Sequence, residues 1–125
     1  MVTINLRGTE YPLLFSLNLQ EKIQDRYGDV REITRKMMRY SEAKWLLAQA
    51  INEGFKYEEY MDGAPHREMP EDKLGVLTTF SDFRDGKIVS ALLDALNESL
   101  GSDKKKMTRT DLEQQILKML ETAEN

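Results

Sequence analysis

The chain has no cysteine, one histidine and one tryptophan among its 125 residues. The missing cysteines exclude disulfides, thiolate nucleophiles and cysteine-ligated zinc, and make a reducing intracellular compartment the natural setting. A single histidine excludes a two-histidine metal site and leaves His66 as the sole imidazole for acid–base chemistry. No stretch approaches the roughly 20 apolar residues of a membrane helix, and the N-terminus lacks the charged-then-apolar pattern of a secretory signal. The expectation is a cytoplasmic, soluble protein with no membrane partner. There is no glycine-rich phosphate cradle, no EF-hand loop, no internal repeat and no low-complexity tract. Eighteen basic residues against twenty-two acidic ones, with the signs mixed along most of the chain, give a net charge of −4. With no large cationic field, a nucleic-acid partner is not expected.

What is present reads as an α+β fold, mainly α-helical, with an N-terminal β-hairpin packed on a bundle of about five helices. Val2, Ile4 and Leu6 alternate with Thr3, Asn5 and Arg7; Gly8-Thr9 interrupts, and Tyr11 to Phe15 resumes a strand-like run. Pro12 removes one backbone donor and places its strand at a sheet edge or bulge. Such an edge offers strand pairing between copies, which Pro12 restricts. A two-stranded hairpin is marginal alone, so one face must rest on helices.

Asn18 with Glu21 fits an N-cap and its acidic partner, followed by Leu19, Ile23 and Tyr27 at four-residue spacing and by Gly28 as the stop. Asp29 with Glu32 repeats the start signal for a stripe of Val30, Ile33 and Met37. Ser41 is the expected cap of a third helix, on which Leu46, Leu47, Ala50, Ile51, Phe55 and Met61 share an arc that should face the core. Residues 62–72, DGAPHREMPED, form the best internal loop. Residues 73–80 read as helix from Leu74, Leu77 and Phe80, against the strand preference of Val76, Thr78 and Thr79. Asp82 with Asp85 is the expected cap of a helix whose apolar arc, Ile88 to Leu100, is wide enough to pack on two sides. Residues 1–100 thus form one domain, 101–107 a linker, and 108–125 an amphipathic helix through Leu112, Ile116, Met119, Leu120 and Ala123. That last helix can dock on the domain, pair with another copy to give a homo-oligomer, or fray without a partner.

The residues offer little chemistry. His66 sits in the proline-bounded loop with no nucleophile or oxyanion hole at a useful spacing, and reads as a solvated loop histidine. Glu58, Glu59 and Asp62 read as a solvated helix end before they read as a cation site. Lys104, Lys105 and Lys106 are too few for a nucleic-acid site. No catalytic residue, cofactor or metal ligand is assigned. Trp45 projects beside Gln49 and Asn52, almost opposite the core arc, with Tyr60 near the same stripe. A tryptophan so placed is either covered by another part of the fold or serves as an interface anchor. Met38, Met69 and Met107 are further surface candidates, while Met37, Met61 and Met119 fall on core-like stripes.

INLRGTEYPLLFSLNLQEKIQDRYG, residues 4–28, resembles the start of the small tail assembly chaperones of long-tailed bacteriophages and related prophages, with a strand, glycine turn, apolar strand, helix and glycine in the same order. WLLAQAINEGF and IVSALLDALNESL, residues 45–55 and 88–100, resemble the later paired helices of that family. The resemblance implies a non-enzymatic protein of the bacterial host cytoplasm, absent from the mature virion. It implies binding of the aggregation-prone tape measure protein and help in recruiting tail tube protein, and this chain corresponds to a short form. The resemblance transfers no site residues; Trp45, Tyr60, Leu112, Ile116 and Leu120 are the candidates for client binding or self-association. The alternative is a generic intracellular interaction or regulatory adaptor unrelated to phage tails.

Overall fold

The computed structural model describes residues 1–29 and 32–101. Two strands, β1 (Val2–Leu6) and β2 (Thr9–Leu13), are followed by α1 (Leu17–Tyr27), α2 (Ile33–Lys36), α3 (Tyr40–Asp62), α4 (Glu71–Leu77), α5 (Phe80–Arg84) and α6 (Lys87–Leu100). The fold is α+β and mainly helical, with the hairpin at its N-terminus. Apart from Gly101, the expected linker 101–107 and the terminal helix 108–125 lie outside the described residues.

The antiparallel hairpin pairs Val2 with Leu13, Ile4 with Tyr11 and Leu6 with Thr9. Its turn is Arg7-Gly8, not the expected Gly8-Thr9. Both residues have positive φ, 53° and 86°, as in the tight primed turns that match strand twist. Asn5 Oδ1 accepts the Gly8 N–H at 3.1 Å, which fixes the turn one residue early and lets Thr9 begin β2. Ile4, Leu6 and Leu13 are buried. β1 lies against α6, and β2 lies mainly against α3.

The crossing of β2 and α3 is unusually close. A Cβ built on Gly54 would stand 2.8 Å from both the Cβ and the carbonyl oxygen of Pro12, so a hydrogen at this position is what lets strand and helix meet. Four residues earlier, the Ala50 carbonyl accepts the Leu14 N–H at 3.1 Å, holding the chain onto the helix as it leaves β2. Pro12 does lie in an edge strand, since among the described residues β2 pairs only with β1.

The caps correct several sequence expectations. α1 is capped by Ser16, not Asn18: the Ser16 hydroxyl accepts the Leu19 N–H at 3.1 Å and donates to Glu53 Oε1 on α3, a double role Asn18 is not placed to fill. Gly28 ends α1 in the left-handed conformation, as expected. α2 is a single turn that buries Ile33 and stops at Met37, because Arg39 is already extended and serves as the cap of α3. Ser41 therefore lies within the first turn of α3. Leu46, Leu47, Ala50, Ile51 and Phe55 face the core, but Met61 is exposed, since α3 runs past the body of the domain before Gly63 ends it.

Residues 71–77 are helical, with Leu74 fully buried. Phe80 does not share that face. Thr79 and Asp82 form a reciprocal capping box that starts α5 at Phe80, and Asp82 is spent there instead of capping α6. Gly86, at φ 83°, precedes α6, whose residues Ile88, Val89, Ala91, Leu92, Leu93, Ala95 and Leu96 are all buried.

Gly54→Ala is expected to lower unfolding free energy by about 2 kcal/mol or more, in the upper part of the overpacking range, read by urea denaturation. Pro12→Ala should not rescue it, because the Cβ and carbonyl oxygen that obstruct residue 54 remain.

Candidate protein-binding groove

The surface around Trp45 is built by α1 and α3. Trp45 is half-buried against the core, its ring meeting that of Tyr27 edge-on at 5.9 Å, with the Arg26 guanidinium 4.4 Å above it. Glu42 Oε2 accepts from the Tyr27 hydroxyl at 2.7 Å and from Arg26 Nε at 2.9 Å. The Tyr27 hydrogen bond, with Arg26 and against the effect of burial, holds the Glu42 carboxyl below the ordinary glutamate range. Trp45 is thus partly covered by Tyr27 and Arg26 of α1. Tyr60 is 77% exposed, fifteen residues further along α3 and about 22 Å away at 1.5 Å per residue, so the two do not form one patch. Leu112, Ile116 and Leu120 lie outside the described residues.

The loop 63–70 is strapped back onto α3. Asn52 donates from Nδ2 to the Met69 carbonyl at 3.0 Å and accepts the Met69 N–H at 2.7 Å, which buries the Met69 side chain and removes it from the surface candidates. Arg67 pairs with Glu58 at 2.8 Å and lies 4.2 Å over the Phe55 ring. His66 bridges Glu59 and Glu68, each 3.0 Å from one ring nitrogen, and those hydrogen bonds raise its pKa. Glu58 and Glu59 are therefore engaged with Arg67 and His66. Among the described residues no three His, Asp or Glu side chains are grouped to hold a metal ion. A recess of about 310 Å³ beside this loop is lined by Lys22, Lys56, His66 and Arg67. Each of these four has a partner: Gln49, Glu53, Glu59 with Glu68, and Glu58.

Besides a polar recess of about 530 Å³ lined by Arg26, Tyr27, Asp29, Glu32, Lys36 and Glu42, an apolar opening lies between the start of α3 and the α4–α5 segment, with Ile88 of α6 in its lining. It is a groove of about 460 Å³. Tyr40 stands between Phe80 and Phe83, meeting them edge-on at 5.5 and 4.7 Å. Tyr40 is 57% exposed and Phe80 61%, with exposed Val76 nearby in sequence on α4. Leu47 and Leu74 contribute buried side chains to the lining, and Ser41, Thr78 and Thr79 bring hydroxyl groups. The aliphatic chain of Lys44 passes over Gly75, within 3.4 Å of where a Cβ would stand, and its ammonium makes no ion pair among the described residues. Arg84 lies 5.7 Å from the Phe80 ring centre. Sequence reading assigned Phe80 to a core stripe with Leu74 and Leu77. The available signal was the run Thr79-Phe80-Ser81-Asp82, a capping box that makes Phe80 the first residue of a new helix and turns it outward.

Comparison of the chain with protein-family models, with curated proteins and with solved structures gives no match.

Two outcomes are expected here. Glu42→Gln should cost about 1 kcal/mol at neutral pH through weakened charged hydrogen bonds. Because the folded carboxyl titrates below its unfolded value, the gap from the parent should be full above the ordinary glutamate range and close as pH falls through the lowered value, read by urea denaturation at several pH values. In an NMR titration His66 should titrate above its ordinary value, about 6.5, and move back toward it in Glu59→Gln. The tie it makes between loop and α3 is full below that ordinary value and lost as pH rises through the raised one.

Proposed function

We propose that the chain is a non-enzymatic assembly chaperone that receives an apolar helical segment of its client in the groove between α3, α4 and α5. The observation that carries this reading is the exposed aromatic set of Tyr40 and Phe80 over a floor of Leu47, Leu74 and Ile88. Apolar grooves with polar rims suit the face of an amphipathic helix, whose anchors recur at three- and four-residue spacing. The hydroxyls and the single lining cation, Lys44, supply a rim and an orientation for that helix.

The client is the tape measure protein, and tail tube protein is the subunit whose recruitment follows. These identities rest on the resemblance of residues 4–28, 45–55 and 88–100 to tail assembly chaperones. The physics of such a client supports the reading. A very long helical protein exposes many similar apolar faces, so modest contacts made by many copies can keep it soluble until tube subunits polymerise around it.

Co-expression with the long tape-measure-type reading frame of the source genome should give a captured complex and a larger soluble fraction of that client. Phe80→Glu is expected to reduce capture by about tenfold or more, in line with losing a central aromatic anchor. The fold should persist, because an acidic residue in the first turn of α5 suits the helix dipole. Undiminished capture by Phe80→Glu would remove the groove from the mechanism, and a client that is neither bound nor solubilised would remove the tail-assembly reading.

A further inference from the structure

Gly75, in the wall of the groove, is a residue that the fold itself does not call for. It sits in the middle of the seven-residue helix α4, where glycine is less favourable than alanine. Its φ is not positive, unlike that of Gly28, Gly63 or Gly86, so no turn requires it. A Cβ there would stand 3.4 Å from Lys44 Cδ and 3.8 Å from Lys44 Nζ, ordinary contact distances, so no close crossing within the fold requires it either. Gly54, by contrast, is demanded by Pro12. What the missing side chain leaves is exposed α4 backbone in the groove wall. A glycine so placed lets a second backbone approach closely.

Charge narrows the chemistry of what approaches. Lys44 is the only charged side chain in the lining. Among the described residues its ammonium forms no ion pair with Glu71 or Asp72 of α4 or with Asp82 of α5. Asp82 is held by Thr79, and the neighbouring Arg84 has Asp85 at 3.9 Å. The Thr78 hydroxyl donates to the Leu74 carbonyl at 3.0 Å, so it too is engaged within the fold. Tyr40 to Leu47 rise about 10 Å along α3, room for two turns of a partner helix.

We infer that the groove takes an amphipathic helix of the client that crosses α4 with its backbone close to Gly75 and carries an aspartate or glutamate beside its apolar stripe, paired to Lys44. The inference rests on the groove being the client site, as in the reading above, and adds which helical face it accepts. Apolar contact with Tyr40 and Phe80 is indifferent to the charge at the stripe's edge. Lys44 selects an acidic edge, and Gly75 admits a helix that a side chain at this position would hold away. The net charge of −4 favours the opposite choice, a basic partner, so a preference for acid is a signature of the groove alone.

The test uses the full chain and two designed fluorescent peptides of about 18 residues, long enough for helix to form. Both carry leucine at three- and four-residue spacing; one has glutamate along both edges of that stripe and the other lysine. By fluorescence anisotropy the glutamate peptide should bind about fivefold tighter or more, the scale of one charge pair at a partly exposed site. Lys44→Glu should reverse the order. Gly75→Ala should raise the urea midpoint through better helix propensity and yet weaken the glutamate peptide by about fivefold or more, as an obstructed contact does. A residue with a merely structural role would not move stability and binding in opposite directions. Phe80→Ala should weaken both peptides; binding that survives it lies elsewhere and overturns the inference. Equal affinity for the two peptides, binding of neither, an order unchanged in Lys44→Glu, or unchanged binding in Gly75→Ala also overturns it. The peptides contain no client sequence, so failed tape-measure capture leaves this result standing, and a captured client does not depend on it.

Discussion

The contact between Pro12 and Gly54 is the constraint on which the remaining architecture hangs. With a hydrogen in place of a side chain at residue 54, β2 comes down onto α3 closely enough for the Ala50 carbonyl to take the Leu14 N–H. The neighbouring residues of α3 then reach in other directions. Glu53, buried at 4% exposure, accepts from Ser16 at the start of α1, while Lys56 lies 3.1 Å from its second oxygen as an ion pair without aligned hydrogen-bond geometry. Burial alone would raise the Glu53 pKa; the Ser16 and Lys56 interactions outweigh it and leave the carboxyl lowered. Asn52 holds the backbone of Met69, and Phe55 receives Tyr11 on one side and Arg67 on the other. One and a half turns of helix therefore fix the hairpin, the first helix and the long loop together.

That concentration of ties divides α3 by task. Between Gln49 and Glu59, residues Gln49, Asn52, Glu53, Phe55, Glu58 and Glu59 are engaged with other parts of the fold. At its beginning, Tyr40, Ser41 and Lys44 face a neighbour made of two short helices, too small to cover them. The aromatic groove is thus where the packing of the second half of the chain runs out of side chains. A rigid helix anchored downstream holds one wall, and the capping box of α5 sets the other.

The broad architecture was legible because periodicity is a local property: the alternation of Val2, Ile4 and Leu6, the stripe of α3 and the wide arc of α6 each announce their element. Caps were less legible, because several residues compete and tertiary partners decide. Ser16, which also donates to Glu53 thirty-seven residues away, caps α1 in place of Asn18, and Asp82 served α5 through Thr79. Trp45 looked stranded because a helical projection of α3 cannot show that Tyr27 and Arg26 of α1 lie over it. Met69 looked like a loop methionine because nothing local reveals the paired hydrogen bonds from Asn52. The groove was hidden for the same reason, since Tyr40 and Phe80 are forty residues apart and meet only in three dimensions.

The placement of β1 against α6 also orders events during synthesis. The hairpin is made before α6, yet its apolar face receives its full cover only when residues 87–100 have been added. At roughly 5–20 residues per second, about four to seventeen seconds separate the two. Throughout that interval Ile4 and Leu6 wait on a partner not yet translated, so the nascent chain is itself, briefly, a molecule with an uncovered strand pair and a need for protection.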